Sequence, residues 1–445
     1  ESPQIAPEAR QRIEAFLDSL RGVEMNGAKE MNVFRPRRGS LSPDTSRTLY
    51  FPYMHDGAYM IAAAARSAGI RSEVLPKQTD EDIAIGRKYT SSKECFPMIC
   101  TTGSFIKKLM EPGADPGKMS FFMPDHNGPC RFGQYNHFQR ILFDRLGFSD
   151  AELVTPSNET SYADLAGANS SRFRINAWKG FVSFDFLRKL YRETRPYEIN
   201  KGETQALYES SLKKIEKCIE SGSGGLHRVL VDITSGFMAV KTEKIRRRPV
   251  VAILGEIYMR DNAGCNGNIA NRLEDLGVEV VIGPFSEWIT YSTHRYIRDS
   301  KWKNDRIGLL KSRIQKIGQE VIVHQLLRGI GRYTDEKLDV PLDEILELSN
   351  TYVSEFYDGD PPIATGSSIA LASRGISGIA AILPFTCMPG TLVASISDSF
   401  RKDHNNIPFI NIAYDGQDSV ALDTRLQAFV YQVREYARNS LKVTV

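Results

Sequence analysis

Residues 48–75 read TLYFPYMHDGAYMIAAAARSAGIRSEVL, and this stretch decides the class of fold. Its first residues, 48–53, form an apolar and aromatic run that reads as a strand. An Ala-rich helix is expected over 57–67 and a second strand over 71–75. That is a βαβ unit, and 119–123 has the look of a further buried strand. A second unit opens where the basic run 244–248 ends at Pro249 and the strand PVVAILGE begins. A helix carrying Ile269 and Leu273 follows, then a strand at 278–282, and late strands are expected at 378–385 and 407–414. Two separated βαβ systems predict an α/β chain with two open parallel sheets facing one cleft.

The expected organisation has four parts. Residues 1–47 form an N-terminal helix (Ile13, Phe16, Leu17 and Leu20 on one face) and a linker. Residues 48–165 form the first α/β domain. Residues 166–248 form a helical segment with Tyr208, Leu212, Ile215 and Ile219 on one stripe, interrupted by SGSGG at 221–225, read as a flexible break. Residues 249–445 form the second α/β domain, with helical patterns inserted at 306–329 and 342–357 and a last helix carrying Leu426, Phe429 and Val433.

Composition narrows the functional classes. In 445 residues, 57 Lys+Arg stand against 54 Asp+Glu, so no global field favours nucleic acid or an acidic membrane surface. No apolar run reaches the roughly 18 residues of a membrane span. The opening ESPQIAPEARQRIEAF has no signal-peptide core, so the expected location is cytoplasmic, for a processed chain or one portion of a longer protein.

Six cysteines are too sparse for a disulfide scaffold. Cys95 sits in KECFPMIC, Cys130 in HNGPCRFGQY and Cys387 in LPFTCMPG, each with Pro or Gly within two residues. Cys130 and Cys387 follow expected strands directly, where open parallel sheets collect ligands. Bent backbone there can turn N–H groups toward sulfur, as a cluster ligand requires. The alternative reading is three unrelated buried thiols. Iron–sulfur is favoured over zinc because no Cys-x-x-Cys pairs occur. Cys265, in the loop after PVVAILGE, and Cys100 stay open as ligands, and Cys218 reads as a packing residue on a helix.

Taken in order, KECFPMICTTG, GPCRFGQY, GEIYMR with NRLEDLG, PFSEW, PFTCMPG and IPFINIAYDGQ resemble the 2-hydroxyacyl-CoA dehydratase and benzoyl-CoA reductase superfamily. The resemblance covers about residues 48–430 and is nearest to the activase-associated branch that includes double-cubane cluster proteins. It implies two flavodoxin-like domains with an iron–sulfur cluster between them. Cys95, Cys130 and Cys387 then fall on the family's ligand positions. The implied cofactor is a [4Fe-4S] cluster, or a sulfide-bridged double cubane if Cys265 and Cys100 also ligate. The implied partner is an ATP-hydrolysing iron–sulfur activase that injects low-potential electrons, its twofold symmetry favouring a dimer. The acceptor is then an acyl-CoA thioester or a small unsaturated molecule.

Around such a cluster His126 is a candidate proton donor, Arg131 a candidate positive neighbour, and Glu94 a third candidate catalytic residue. Gln134 lies nearby in the GPCRFGQY loop, and His55, in the strand-end loop FPYMHDG, faces the same expected cleft. Bland readings stand beside these: structural histidines, and an exposed arginine paired to a carboxylate. SGSGG follows a helix and not a strand, so no nucleotide is expected on this chain. Two other classes remain as alternatives: a cluster-free α/β protein that binds a small ligand, and a zinc enzyme of hydrolase type.

Overall fold

The computed structural model describes residues 46–443 except 92–93, 127, 157–164 and 417–419. The helix expected over residues 8–21 and nearly all of its linker lie outside the described residues. Strands β1 (Thr48–Phe51), β2 (Ser72–Val74), β3 (Met119–Phe122) and β4 (Glu152–Val154) form one sheet; β5 (Val250–Gly255), β6 (Glu279–Ile282), β7 (Gly378–Pro384) and β8 (Phe409–Tyr414) form the other. Every pairing is parallel, and the orders β2-β1-β3-β4 and β6-β5-β7-β8 are the same order twice. This is the flavodoxin-like strand order, cut to four strands. The two halves are therefore a structural repeat that no sequence repeat announces. Both sheets belong to one compact unit, Pro36–Val445.

The strands form because they can be buried on both faces. All six residues of β5 and all seven of β7 are buried, as the continuous apolar runs of covered parallel strands require. Helices α1 (Ala58–Ser67), α2 (Asp80–Tyr89), α3 (Phe96–Leu109) and α4 (Tyr135–Arg145) cover the first sheet. The long α5 (Ser170–Thr194) and the hairpin α6 (Glu203–Glu220) and α7 (Leu226–Ala239) pack on α1, whose Ala62–Ala65 run is fully buried. In the second half lie α8 (Ile257–Asp261), α9 (Ile269–Asp275), α10 (Ser286–Trp302), α11 (Arg306–Leu327), α12 (Leu342–Ser349), α13 (Asp360–Ser373), α14 (Met388–Asp403) and α15 (Val420–Val443).

Helix α3 ties the halves together. Its Met98, Phe105 and Ile106 pack with Cys95 in the core of the first sheet, while Phe96, Ile99 and Cys100 pack with Val251, Ile253 and Ile382 of the second. It sits against α2 at backbone contact: a Cβ on Gly103 would lie 1.8 Å from the Asp82 carbonyl oxygen. Gly103→Ala should therefore force α3 off α2 and move Cys95 and Cys100 with it. The expected cost is about 1–3 kcal/mol or more in urea unfolding, since the obstacle is backbone and not a flexible side chain.

Two expectations are corrected. The SGSGG segment is an ordered turn between α6 and α7: Ser223 is buried at φ 62°, donates to Asn176 (2.9 Å) and accepts from Lys179 Nζ (3.0 Å). Its three glycines supply turn geometry, and α5 fixes the turn. The helix expected over 342–357 stops at Ser349, and only a short 3-10 turn, Glu355–Tyr357, follows.

Candidate functional site

The flavodoxin-like order reverses direction between β1 and β3, and again between β5 and β7, so the loops after these four strands surround the two switch points. Cys130 follows β3 and Cys387 follows β7, which makes them topological equivalents. Glu256 follows β5 directly. Cys95 arrives differently, at the start of α3, the second of the two helices that join β2 to β3.

All three cysteines occupy helix N-caps. Cys387 caps α14 and its Sγ accepts from the Gly390 N–H at 3.3 Å. Cys130 caps the short turn before α4 and accepts from the Phe132 N–H at 3.5 Å. Cys95 caps α3, where the Met98 amide favours its thiolate and the Tyr135 hydroxyl touches its sulfur. Pro97 beside Cys95 and Pro389 and Gly390 beside Cys387 are first-turn residues of their helices, whereas Gly128 and Pro129 lead into the Cys130 cap.

The charge of one carboxylate acts on all three thiols. Burial is the main cause that raises their pKa, to about 12 for Cys130, and Glu256 adds to it at Cys95, Cys130 and Cys387 alike. Asp360, the first residue of α13, acts on Cys130 and Cys387. Cys95 acts on Cys130 and Cys130 on Cys387, so the trio shares one field. The carboxyls themselves are pushed up, Asp360 by burial and then by Glu256. Arg260, buried in the GEIYMR segment, opposes this at Glu256, Asp360 and Glu287. Among the described residues no three His, Cys, Asp or Glu side chains form a compact cage for a single ion. The three thiols stand apart, one at each helix cap.

The remaining candidates sort as follows. Arg131 is exposed, yet its charge favours the Cys95 thiolate, which agrees with a positive neighbour. His126 is half-buried beside Phe132 (6.1 Å between rings), and burial, then Arg295, lowers its pKa and keeps it neutral. Glu94 turns to Ser91, accepting from its N–H and hydroxyl at 2.9 Å. Cys265 meets Cys100, sulfur to sulfur 3.1 Å, inside the core that α3 shares with the second sheet. Cys218 donates to Gly224 O within its own hairpin. His55 is stacked on Phe184 (4.9 Å, 9°), accepts from Gly57 N–H, and burial pushes it down to about 4, the signature of a packing histidine. Gln134 is exposed at the start of α4. Tyr135, Glu256 and Asp360 were missed, although the first two lie inside quoted motifs.

Glu287, from PFSEW, is buried and pushed up to about 7 by that burial. A carboxyl raised in the fold stabilises below its ordinary 4.5, and that contribution is lost as pH rises through 7. Glu287→Gln should remove this loss, flattening the urea-measured stability between pH 5 and 8 by on the order of 3 kcal/mol. An unchanged slope would mean that Glu287 is ionised at no cost.

No helix among the described residues is long and apolar enough to cross a membrane. No family model matches the chain, and no curated protein matches it.

Proposed function

We propose that this chain is the iron–sulfur electron-accepting component of a two-protein reductase, fed by a separate ATP-hydrolysing iron–sulfur activase. The observation that carries the reading is that Cys95, Cys130 and Cys387 each take a helix N-cap and all feel the charge of Glu256, which follows β5. The donor set fits a cluster: three soft sulfurs, first-turn N–H groups that moderate their charge, and a tyrosine hydroxyl on one of them. Their raised pKa is no obstacle, because a bound cation displaces the thiol proton. When bound there, a [4Fe-4S] cluster supplies one-electron storage at low potential.

The chain's own residues supply the rest. The Asp360 carboxyl, held protonated by burial beside Glu256, keeps a proton near Cys130 and Cys387, where an acceptor taking electrons needs one. Arg131 places positive charge beside Cys95, and burial keeps water from the sulfurs of Cys95 and Cys387. The strand-end loop sequences carry no run of basic residues for the phosphates of coenzyme A, which favours a small acceptor over a thioester. Nucleotide belongs to the activase, and the component acts in the cytoplasm.

Anaerobic reconstitution tests this. Broad absorption near 400 nm with about four iron atoms per chain is expected, together with activase- and ATP-dependent reduction of a small unsaturated acceptor in preference to an acyl-CoA. Iron below about one atom per chain with no such band would leave a cluster-free binding protein as the better reading.

A further inference from the structure

Helix α11 is seated on one face only. Gln315 donates to Thr293 of α10 and accepts from Arg174 of α5, Trp178 donates to the Gln319 carbonyl, and Leu326 is buried in the first core. The opposite face carries Ile307, Leu310, Ile314, Ile317 and Val321, exposed by 69, 61, 61, 59 and 47%. Five aliphatic side chains in one outward line have no solvent-facing purpose.

The spacing identifies the occupant. The residues fall three, four, three and four apart, and His324 extends the line by three. A strict a/d seam of this kind is narrower than the broad apolar face of a membrane-surface helix and matches a second helix. Read from either end, from Ile307 or from His324, the spacing is three, four, three, four, three. A stripe that reads the same in both directions is complementary to its own antiparallel copy. With a twofold axis between Ile314 and Ile317, Ile314 meets Ile317 of the second copy and Leu310 meets Val321. On the flank Arg313 then faces Glu320 of the second copy, and the pair occurs twice. Both side chains are exposed and neither has an ion-pair partner among the described residues. Gly318 leaves room on the other flank. Arg306, at one helix start, lies beside the negative end of the partner helix.

We infer that α11 is a homodimer interface, two copies of this chain pairing antiparallel through the stripe from Ile307 to Val321. The inference is independent of the cluster, so it stands or falls apart from the redox reading. Sedimentation equilibrium of the full chain under anaerobic conditions should give twice the chain mass. Ile314→Glu combined with Ile317→Glu should give the single mass with an unchanged circular-dichroism spectrum and melting temperature, since both side chains are on the surface. Arg313→Glu alone and Glu320→Arg alone should each weaken the dimer by about tenfold or more, and the two together should restore it, because the swapped charges again face each other. A monomeric full chain would overturn the inference. So would a double glutamate variant that stays dimeric, or charge-swap partners that fail to rescue. A monomer that floats with anionic lipid vesicles would assign the stripe to a lipid surface instead.

Discussion

Replacing Cys130 by serine is expected to strip most of the iron from the chain, from about four atoms to about one or fewer, and to abolish activase-driven reduction. A serine hydroxyl is a hard, weakly acidic ligand, and at neutral pH it does not replace a thiolate on iron. Cys387→Ser should behave alike, because Cys387 occupies the equivalent loop of the second half and its Sγ accepts the same kind of first-turn N–H. Circular dichroism should stay unchanged in both, since neither sulfur holds an element together. Cys218→Ser is the control and should keep its iron. Unchanged iron in Cys130→Ser would remove the ligand assignment altogether. Iron lost in Cys265→Ser or Cys100→Ser would enlarge the ligand set toward a double cubane. If those two thiols only pack, at 3.1 Å, both variants keep the cluster.

What could be read from the chain followed from burial. β5 and β7 announce themselves because a strand covered on both faces has no polar side to interrupt its apolar run. The N-cap cysteines announced themselves through the Pro and Gly that begin the helices of Cys95 and Cys387 and lead into that of Cys130. β4 escaped notice because three residues, Glu152–Val154, carry no periodicity to detect. Glu94 adjoins Cys95 in sequence, whereas the charge of Glu256 reaches Cys387 because β5 pairs with β7, a neighbourhood that sequence distance does not disclose. Asp360 enters from the helical insertion between β6 and β7, and no local pattern tells where an insertion returns to a sheet. The Cys100–Cys265 contact spans 165 residues and two halves of the molecule, beyond any spacing argument.

The largest stability effect is expected at Arg188, which joins the helical segment to the switch-point loops of the second sheet. This buried guanidinium reaches both carboxylate oxygens of Asp261 at 2.5 Å, Asp185 at 3.1 Å and the Gly283 carbonyl at 2.8 Å. Asp185 in turn accepts the Phe285 and Ser286 N–H groups that start α10. Arg188→Met keeps the volume and leaves Asp185 and Asp261 buried without the guanidinium that bridges them. Removing one partner of a buried ion pair costs about 3–5 kcal/mol, far more than the pair contributes over a well-packed apolar replacement. The sign of the pH dependence should report the cause. Arg188 and nearby charges hold Asp261 below its ordinary value against burial, so in the native chain its contribution is present above that value and lost as pH falls through the lowered one. Without Arg188, burial is opposed at Asp261 only by the more weakly acting His55 and Arg260, and the carboxyl rises. The variant should then gain stability on acidification, as Asp185, already raised by burial, does in the native chain. Arg188→Met with Asp261→Asn should recover part of the loss at pH 7, because one stranded charge is gone. Equal urea midpoints for native chain and Arg188→Met would show that solvent reaches these carboxylates and that the loops are held by packing alone.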